Sequence, residues 1–460
     1  MTRRTWVLIL IFVVSIPAVT LRLYASDEIE YFSYLRSLWF DHDLSFDNEY
    51  RYFYDHAIAR GPGFRETFLE LRTPTGLRYN FGTVGCALLW MPMYAVADAG
   101  VRVARLMGSP VEADGFSRPY IAAVAYGSAL YGFLAVLLSA SVARRLLGRG
   151  QGEVFSTWAS AVVWFGTPLP FYMYLAPGMA HACSAFAVAA FVAAWLSVRE
   201  RWTARGLVAL GALAALMTMV REQDAFFAIG VVVDFAWTLV DDVRSGRRAL
   251  AFSRLKAVPA AAVTFALCFL PQAWAYVVLN GRLGPANVVV NKMLWYSPHA
   301  LQILFSTDHG LFFWTPLALV CVFGLFALAM PTDTRRVAFC LLLMFLAQVY
   351  ISGSVDTWTV AGSFGQRRFL GASVVLTTGL AAWFQYARGW RRIPTVIAIV
   401  LAIWGNLGLM AQFGANMMDR QRLDLAANAY NTFVRVPREL PSLAFRYLFN
   451  RASFYRPPQA

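Results

Sequence analysis

Apolar runs alternate with short arginine-rich connectors along almost the whole chain, and that alternation restricts it to one class of fold. The runs cover roughly 6–24, 82–101, 119–142, 154–173, 180–197, 206–220, 225–240, 257–279, 311–330, 337–351, 369–386 and 393–414. Inside a bilayer a segment must satisfy its own backbone N–H and C=O groups, so runs of this kind become helices. Composition agrees: 59% of the residues are hydrophobic and 14% charged, with mean hydropathy +0.52, whereas a soluble domain carries about 25% charge. The expectation is an all-α, polytopic transmembrane helical bundle.

The connectors orient it. Arg144/Arg145/Arg149, Arg199/Arg201/Arg205, Arg244/Arg247/Arg248/Arg254/Lys256, Arg335/Arg336 and Arg388/Arg391/Arg392 fall at every second connector from residue 119 onward. They read as cytoplasmic by the positive-inside rule. Connectors 174–179, 221–224, 280–310 and 352–368 then lie outside, as does the tail after 414. Arg3 and Arg4 place the N-terminus inside, so 25–81 is outside. If 82–101 crossed, every later basic loop would be on the wrong side. Gly82, Gly85, Pro92, Asp98 and Gly100 interrupt that run, so it reads as an interfacial or re-entrant helix. A missed or merged span elsewhere is the rival repair. On the first reading about eleven helices span and 25–118 is one large outer loop with juxtamembrane helices. The domains are then 1–414, transmembrane, and 415–460, an outer-face tail. Thr2-Arg3-Arg4 before an apolar run also has the form of a signal peptide with a cut near Ala25-Ser26. The run is long for that role, and a retained first span is expected.

The net charge of +14 (40 basic minus 26 acidic residues) belongs to these connectors. No basic domain stands apart, so nucleic acid is not an expected partner. The five cysteines, Cys86, Cys183, Cys268, Cys321 and Cys340, sit in apolar runs without metal-ligand spacing. Neither a disulfide framework nor a zinc site is expected.

Just past the first run stands Ser26-Asp27-Glu28-Ile29-Glu30-Tyr31, three carboxylates within four residues. One reading is that they mark the water boundary and cap a helix starting near Glu28. The other is a catalytic base at the bilayer surface. The predicted outer face also holds His181, Arg221, Glu222, Asp224, Lys292, His299, Asp308, His309, Asp356, Arg367 and Arg368. Transporters place such groups near the midplane of broken helices, and channels show a repeated ring or filter. Neither pattern is visible, and a surface site fits better. The aromatics Tyr31, Phe32, Tyr34, Trp39, Tyr50, Tyr52, Phe53 and Tyr54 read mainly as an interfacial belt. Asp41-His42-Asp43 has the form of a metal-binding DxD, which keeps a divalent metal open; no other cofactor is expected. Asp234, inside a predicted span, is expected to face the bundle and pair with a polar neighbour.

With these features the chain resembles the GT-C superfamily of glycosyltransferases, in the group of protein O-mannosyltransferases and lipid A aminoarabinose transferases. Those enzymes carry an Asp-Glu pair after the first span, here Asp27-Glu28, and a long first outer loop. The resemblance is closer to uncharacterised bacterial members, through Arg36-Ser37-Leu38, Asp41-His42-Asp43-Leu44, Asn48-Glu49-Tyr50, His181-Ala182, Leu304-Phe305-Ser306, His309-Gly310-Leu311 and Phe364-Gly365-Gln366-Arg367-Arg368-Phe369. It runs from about 20 to 380. Two departures stand out: Leu175-Ala176-Pro177-Gly178 lacks the acid found there in aminoarabinose transferases, and Gly82-Thr83-Val84-Gly85 replaces a Pro-Ile-Gly motif.

The resemblance implies a polyprenyl-phosphate-linked sugar donor, a lipid, glycan or protein acceptor, and inverting displacement at the anomeric carbon. It places the enzyme in the bacterial inner (plasma) membrane as a multi-pass protein, with its active site on the periplasmic, extracytoplasmic face. Asp27 is then the general base and Glu28 positions the acceptor or assists. Arg221, Arg367 and Arg368 are the candidates for holding the leaving phosphate. Glu30, Tyr31, His181 and His309 complete the substrate-binding set. The rival classes are a lipid-linked saccharide transporter and a non-catalytic envelope scaffold that uses the basic tail with Arg420, Arg422, Arg435, Arg438 and Tyr455.

Overall fold

A computed structural model of the chain describes residues 4–454, apart from 60, 62, 149, 361 and 388. Thr2, Arg3, Arg149, Arg388 and Tyr455 therefore lie outside the described residues. Helix makes up 74% of the structure, and among the described residues no strand forms beyond isolated bridges such as that between Arg72 and Arg78. The expected all-α class holds.

In chain order the helices are α1 (Thr5–Ser15), α2 (Ser26–Arg36), α3 (Asp47–Asp55), α4 (Gly85–Leu106), α5 (Arg118–Leu147), α6 (Gln151–Gly166), α7 (His181–Val198), α8 (Ala204–Val220), α9 (Ala228–Arg244), α10 (Arg248–Lys256), α11 (Val258–Asn280), the short α12 (Asn287–Val290), α13 (Gln302–Phe305) and α14 (Leu311–Trp314), then α15 (Leu317–Leu328), α16 (Thr332–Gly353), α17 (Ser373–Tyr386), α18 (Arg392–Gly414), α19 (Leu425–Tyr430) and α20 (Val436–Phe449). A helix stands in each of the eleven expected spans. Among the described residues, six helical stretches are long and apolar enough to cross a membrane, and three shorter apolar ones, Thr5–Ala18, Ala204–Val220 and Leu317–Leu328, accompany them. α4 has 22 residues but is not among these apolar helices. Its second half is polar: Asp98 accepts from Tyr120 Oη at 2.7 Å, Arg102 Nε at 2.9 Å and Trp39 Nε1 at 3.2 Å.

Several boundaries differ from the sequence reading, and proline explains most of them. The first run, read as 6–24, is helical only to Ala18, because Pro17 cannot extend the ladder and its ring crowds the preceding turn. The run 154–173 ends its helix at Gly166, ahead of Pro168 and Pro170. The run 311–330 is cut at Thr315-Pro316. Conversely, α4 carries Pro92 without breaking and runs past the expected 101 to Leu106. The stretch after 414 is largely helical.

The chain divides into two compact units. One is Met1–Ala18, Val136–Phe171 and Leu294–Ala460; the other is Val19–Ala135 and Tyr172–Met293. In the first, α15 packs on α17, and α17 and α18 pack on α6. Their backbones touch through glycine: a Cβ on Gly324 would lie 1.8 Å from Gly379 O, and one on Gly379 would lie 2.1 Å from Cys321 O. Small residues let apolar helices approach closely where hydrophobicity cannot drive them together. Gly379→Ala is therefore expected to destabilise this unit by about 1–3 kcal/mol or more, read as a lower melting temperature of the purified protein. In the second unit α8 packs on α11, α7 and α4. A Cβ on Gly85 would meet the Met219–Val220 backbone at 2.4 Å.

Asp234 pairs as expected. Arg199 Nε reaches its Oδ2 at 2.9 Å and Trp195 Nε1 donates to the same oxygen at 2.9 Å.

Candidate active site

The second unit gathers the acids at the start of α2. The residue ahead of the helix, Ala25, has extended backbone (φ −82°, ψ 146°) and no side-chain oxygen to cap it. Glu28 supplies the cap instead. Its Oε2 accepts from the Tyr24 and Ala25 N–H groups at 3.1 Å each, which satisfies donors that a helix start leaves orphaned. Its Oε1 accepts from Gly178 N–H at 3.2 Å, 150 residues away. A Cβ on Gly178 would fall 2.4 Å from Leu23 Cδ2 and 2.9 Å from Glu28 Cβ, so only glycine allows this approach. A second bond, Thr20 N–H to Tyr174 O at 2.7 Å, runs beside it. The acid-free connector 174–178 is thus a clamp on the α2 entry.

Glu28 is fully buried, and burial pushes its carboxyl up to about 7 against the pull of the three N–H donors. Asp27, one residue earlier, is half-buried, with Ser26 Oγ at 3.5 Å from Oδ1. It sits in the first turn of α2. Glu30 is buried and accepts Phe81 N–H at 2.6 Å, while Asn80 Nδ2 donates to the Glu30 carbonyl at 2.9 Å. The Tyr31 ring lies along Gly82, with only 3.2 Å left for a Cβ. Its phenol is pushed up by burial, pulled down by Arg221, and raised further by Asp27 and Glu30. These four groups share one electrostatic environment.

The cation of that environment is held by its own neighbours. Arg221 closes α8 with extended backbone (φ −152°, ψ 123°). Its Nη1 donates to His181 Nδ1 at 3.1 Å and its Nη2 to Gln223 Oε1 at 3.1 Å. His181, the first residue of α7, is buried edge-on against Tyr172 at 4.4 Å. Because Nδ1 accepts, the imidazole proton sits on Nε2. Asp224 N–H returns to Arg221 O at 2.9 Å. Asp224 Oδ2 accepts from Ser184 Oγ at 2.6 Å, while its buried Oδ1 has no partner. Burial raises the Asp224 carboxyl to about 6, with Arg221 and Ser184 opposing. Sequence reasoning placed Asp224 on the outer face without a role and missed Ser184 and Gly178. The three charges within 221–224 are visible in the sequence, but pairing across α7 and α8 has no linear signature.

Glu28 and Asp224 together predict a pH dependence. Each binds its proton more tightly folded than unfolded, so the native state holds more protons between about 4 and 7. Stability must then fall as pH rises through that window. The melting temperature is expected to be several degrees lower at pH 8 than at pH 5, and Glu28→Gln should flatten that slope. Equal melting temperatures at the two pH values would contradict it.

His309, Arg367 and Arg368 lie in the first unit. His309 is buried, at φ +66°. Its Nε2 meets Ser363 O at 2.8 Å and its ring stacks on Trp314 at 4.4 Å. Gln366 Nε2 donates to His309 O at 2.9 Å and to Trp358 O at 3.2 Å. Gly365, at φ +63°, presses on Pro168, where a Cβ would come within 2.5 Å. Arg368 Nη2 donates to Thr357 O at 3.1 Å. Arg367 is close enough to His309 to help burial lower the imidazole pKa. The structure thus brings Asp27, Glu28, Glu30, Tyr31, His181 and Arg221 into one unit, and His309, Arg367 and Arg368 into the other.

Neighbouring groups hold the side chains of Asp41-His42-Asp43. Asp41 pairs with Arg36 and accepts from Asn48 Nδ2 at 2.7 Å. Asp43 Oδ1 accepts from Ser37 Oγ at 2.8 Å and Ser45 N–H at 3.0 Å. His42 Nδ1 faces Leu38 O at 3.2 Å. The carboxylates shape a turn, and among the described residues no group of three His, Cys, Asp or Glu is placed to hold a metal.

No family model matches the sequence, and no curated protein does. Solved structures do. ArnT from Cupriavidus metallidurans, crystallised with undecaprenyl phosphate, aligns over 98% of this chain and 72% of its own, at TM-score 0.51 and 14% identity. The oligosaccharyltransferase of Archaeoglobus fulgidus, in its apo form, aligns over 97% of this chain and 56% of its own, at TM-score 0.44 and 14% identity. The likeness to ArnT runs through nearly the whole chain, and with the helical architecture above it establishes that this protein shares the fold of that structure.

Proposed function

We propose that this protein is a membrane glycosyltransferase that moves a sugar from a polyprenyl-phosphate-linked donor to an acceptor on the outer face of the bacterial plasma membrane. The observation that carries the reading is the second unit's cluster. There a partly exposed carboxylate, Asp27, and Arg221 both act on the Tyr31 phenol, and their elements are held by the Gly178–Glu28 and Arg221–His181 hydrogen bonds. The fold likeness to a protein solved with undecaprenyl phosphate supports the donor class.

Glu28 is committed to three backbone N–H groups, so Asp27 is the base. It takes the proton of the acceptor hydroxyl as that oxygen bonds to the anomeric carbon. The bond from that carbon to the phosphate oxygen breaks on the opposite face, and its electron pair leaves with the polyprenyl phosphate. Configuration at the anomeric carbon inverts. The departing dianion needs no proton donor; it needs positive charge, which a guanidinium supplies in a geometry that matches phosphate oxygens. Arg221 supplies it in the unit of the base, with His181 and Gln223 fixing its direction. Arg367, which acts on His309, and Arg368 stand in the other unit and take no part in this step.

The test is incubation of the purified protein with a panel of polyprenyl-phosphate sugars. Consumption of one donor with release of polyprenyl phosphate is expected. If none is consumed under any acceptor condition, the enzymatic reading fails.

A further inference from the structure

We propose that the C-terminal segment, residues 425–449, lies in the plane of the membrane, sunk into the leaflet opposite the basic loops, where it binds anionic phospholipid headgroups. The argument is one of depth within the first unit. α18 begins at Arg392, beside the basic connector at the membrane edge. Trp404 is about 18 Å along it and Gln412 about 30 Å, at a rise of 1.5 Å per residue, and the hydrocarbon core is about 30 Å thick. Asn428 Nδ2 bonds Gln412 Oε1 at 2.9 Å, near the far surface. Four residues later the chain is deeper: Trp404 Nε1 donates to Thr432 O at 3.1 Å, and Thr432 lies against Gly408, where a Cβ would come within 2.7 Å of its methyl group.

The far end of α20 is no shallower. Tyr447 Oη donates to Ala18 O at 2.7 Å, and Arg451 Nη2 to Pro17 O at 2.9 Å. Ala18 ends the first helical run, roughly 20 Å above Arg4 by the same rise. Both ends of α20 are therefore about two thirds of the way across, and the helix between them runs roughly parallel to the bilayer.

The sequence of α20 suits that position. Val436 and Leu443 face inward and are buried. Phe445, Leu448 and Phe449 face away, 63%, 53% and 75% exposed. Arg435 stands at the edge between these sides and pairs with Glu439 at 2.9 Å, and Arg438 is exposed on the outward side, seven residues before Phe445. An apolar helix carrying a few long arginines fits a position below the headgroups, with the guanidinium groups extending along the apolar surface to reach phosphates.

The test uses the full chain in lipid nanodiscs, on a background without native cysteines, carrying a nitroxide at Phe445→Cys or, as a control in the turn before α19, at Asp419→Cys. Oxygen collisions should exceed those of a water-soluble nickel chelate at 445, with the reverse at 419. If the 445 variant does not fold, Phe449→Cys replaces it. A chelate-dominated signal at the α20 position would overturn the proposal. In a second arm, Arg435→Gln with Arg438→Gln should reduce retention of phosphatidylglycerol over phosphatidylcholine by about fivefold per arginine. Unchanged retention would overturn the headgroup assignment. So would displacement of phosphatidylglycerol by equimolar polyprenyl phosphate, because these arginines would then serve the donor lipid.

Discussion

Asp27→Asn should lower sugar transfer by about 10²–10⁴-fold, the contribution of a positioned general base, while the protein still inserts and folds. The substitution keeps the shape and removes the charge. Asp27 is half-buried, and its neighbour Glu28 carries the bond from the connector at Gly178 to α2. The two acids are therefore expected to separate cleanly. Glu28→Gln puts an amide nitrogen against backbone N–H groups that need an acceptor; leaving such buried donors unsatisfied costs about 1–3 kcal/mol. Its main effect should be on melting temperature, with activity falling through loosening of the α2 entry. The comparison is read from thermal unfolding and initial rates of both variants with the donor identified in the panel. Wild-type turnover in Asp27→Asn would move the base to another group, and a rate loss in Glu28→Gln without any loss of stability would move it to Glu28.

What the sequence could reveal of this arrangement follows from how each contact is encoded. Span positions are legible because hydrophobic runs are local, and so is the reason α4 stands apart, since Asp98 and Gly100 sit in its own sequence. Helix ends were less legible. Pro17 was in view, but a long apolar run masks the break it causes. Asp27 and Glu28 look equivalent in one dimension, and only Gly178 tells them apart. A glycine in place of an expected acid reads as a loss. In three dimensions it is the residue that lets a buried carboxylate reach across 150 positions. Asp41 and Asp43 illustrate the converse. Their spacing matches a metal motif, but Arg36, five residues before Asp41 at the end of α2, is in the same stretch and pairs with it.

Arg221 should be the most sensitive cation in the second unit. Arg221→Ala is expected to reduce donor turnover roughly 10- to 100-fold, the equivalent of the 1.5–3 kcal/mol carried by a hydrogen bond to a charged group. Arg221→Lys should recover part of this, because lysine keeps the charge but not the planar fork. The partners make the expectation specific. His181 Nδ1 and Gln223 Oε1 each accept one guanidinium N–H, which aims the group without neutralising it. Asp224 adds a buried negative charge in the same turn. Replacing His181 by Ala removes one acceptor and leaves the charge, so its loss should be smaller than that of Arg221→Ala and should appear in KM for the donor more than in kcat. Simple donor hydrolysis is the readout to use, since an anionic acceptor would also respond to a missing cation. Hydrolysis at the wild-type rate in Arg221→Ala would leave Arg221 a structural member of the α7–α8 junction and direct the search for the phosphate site to Arg367, beside His309 in the other unit.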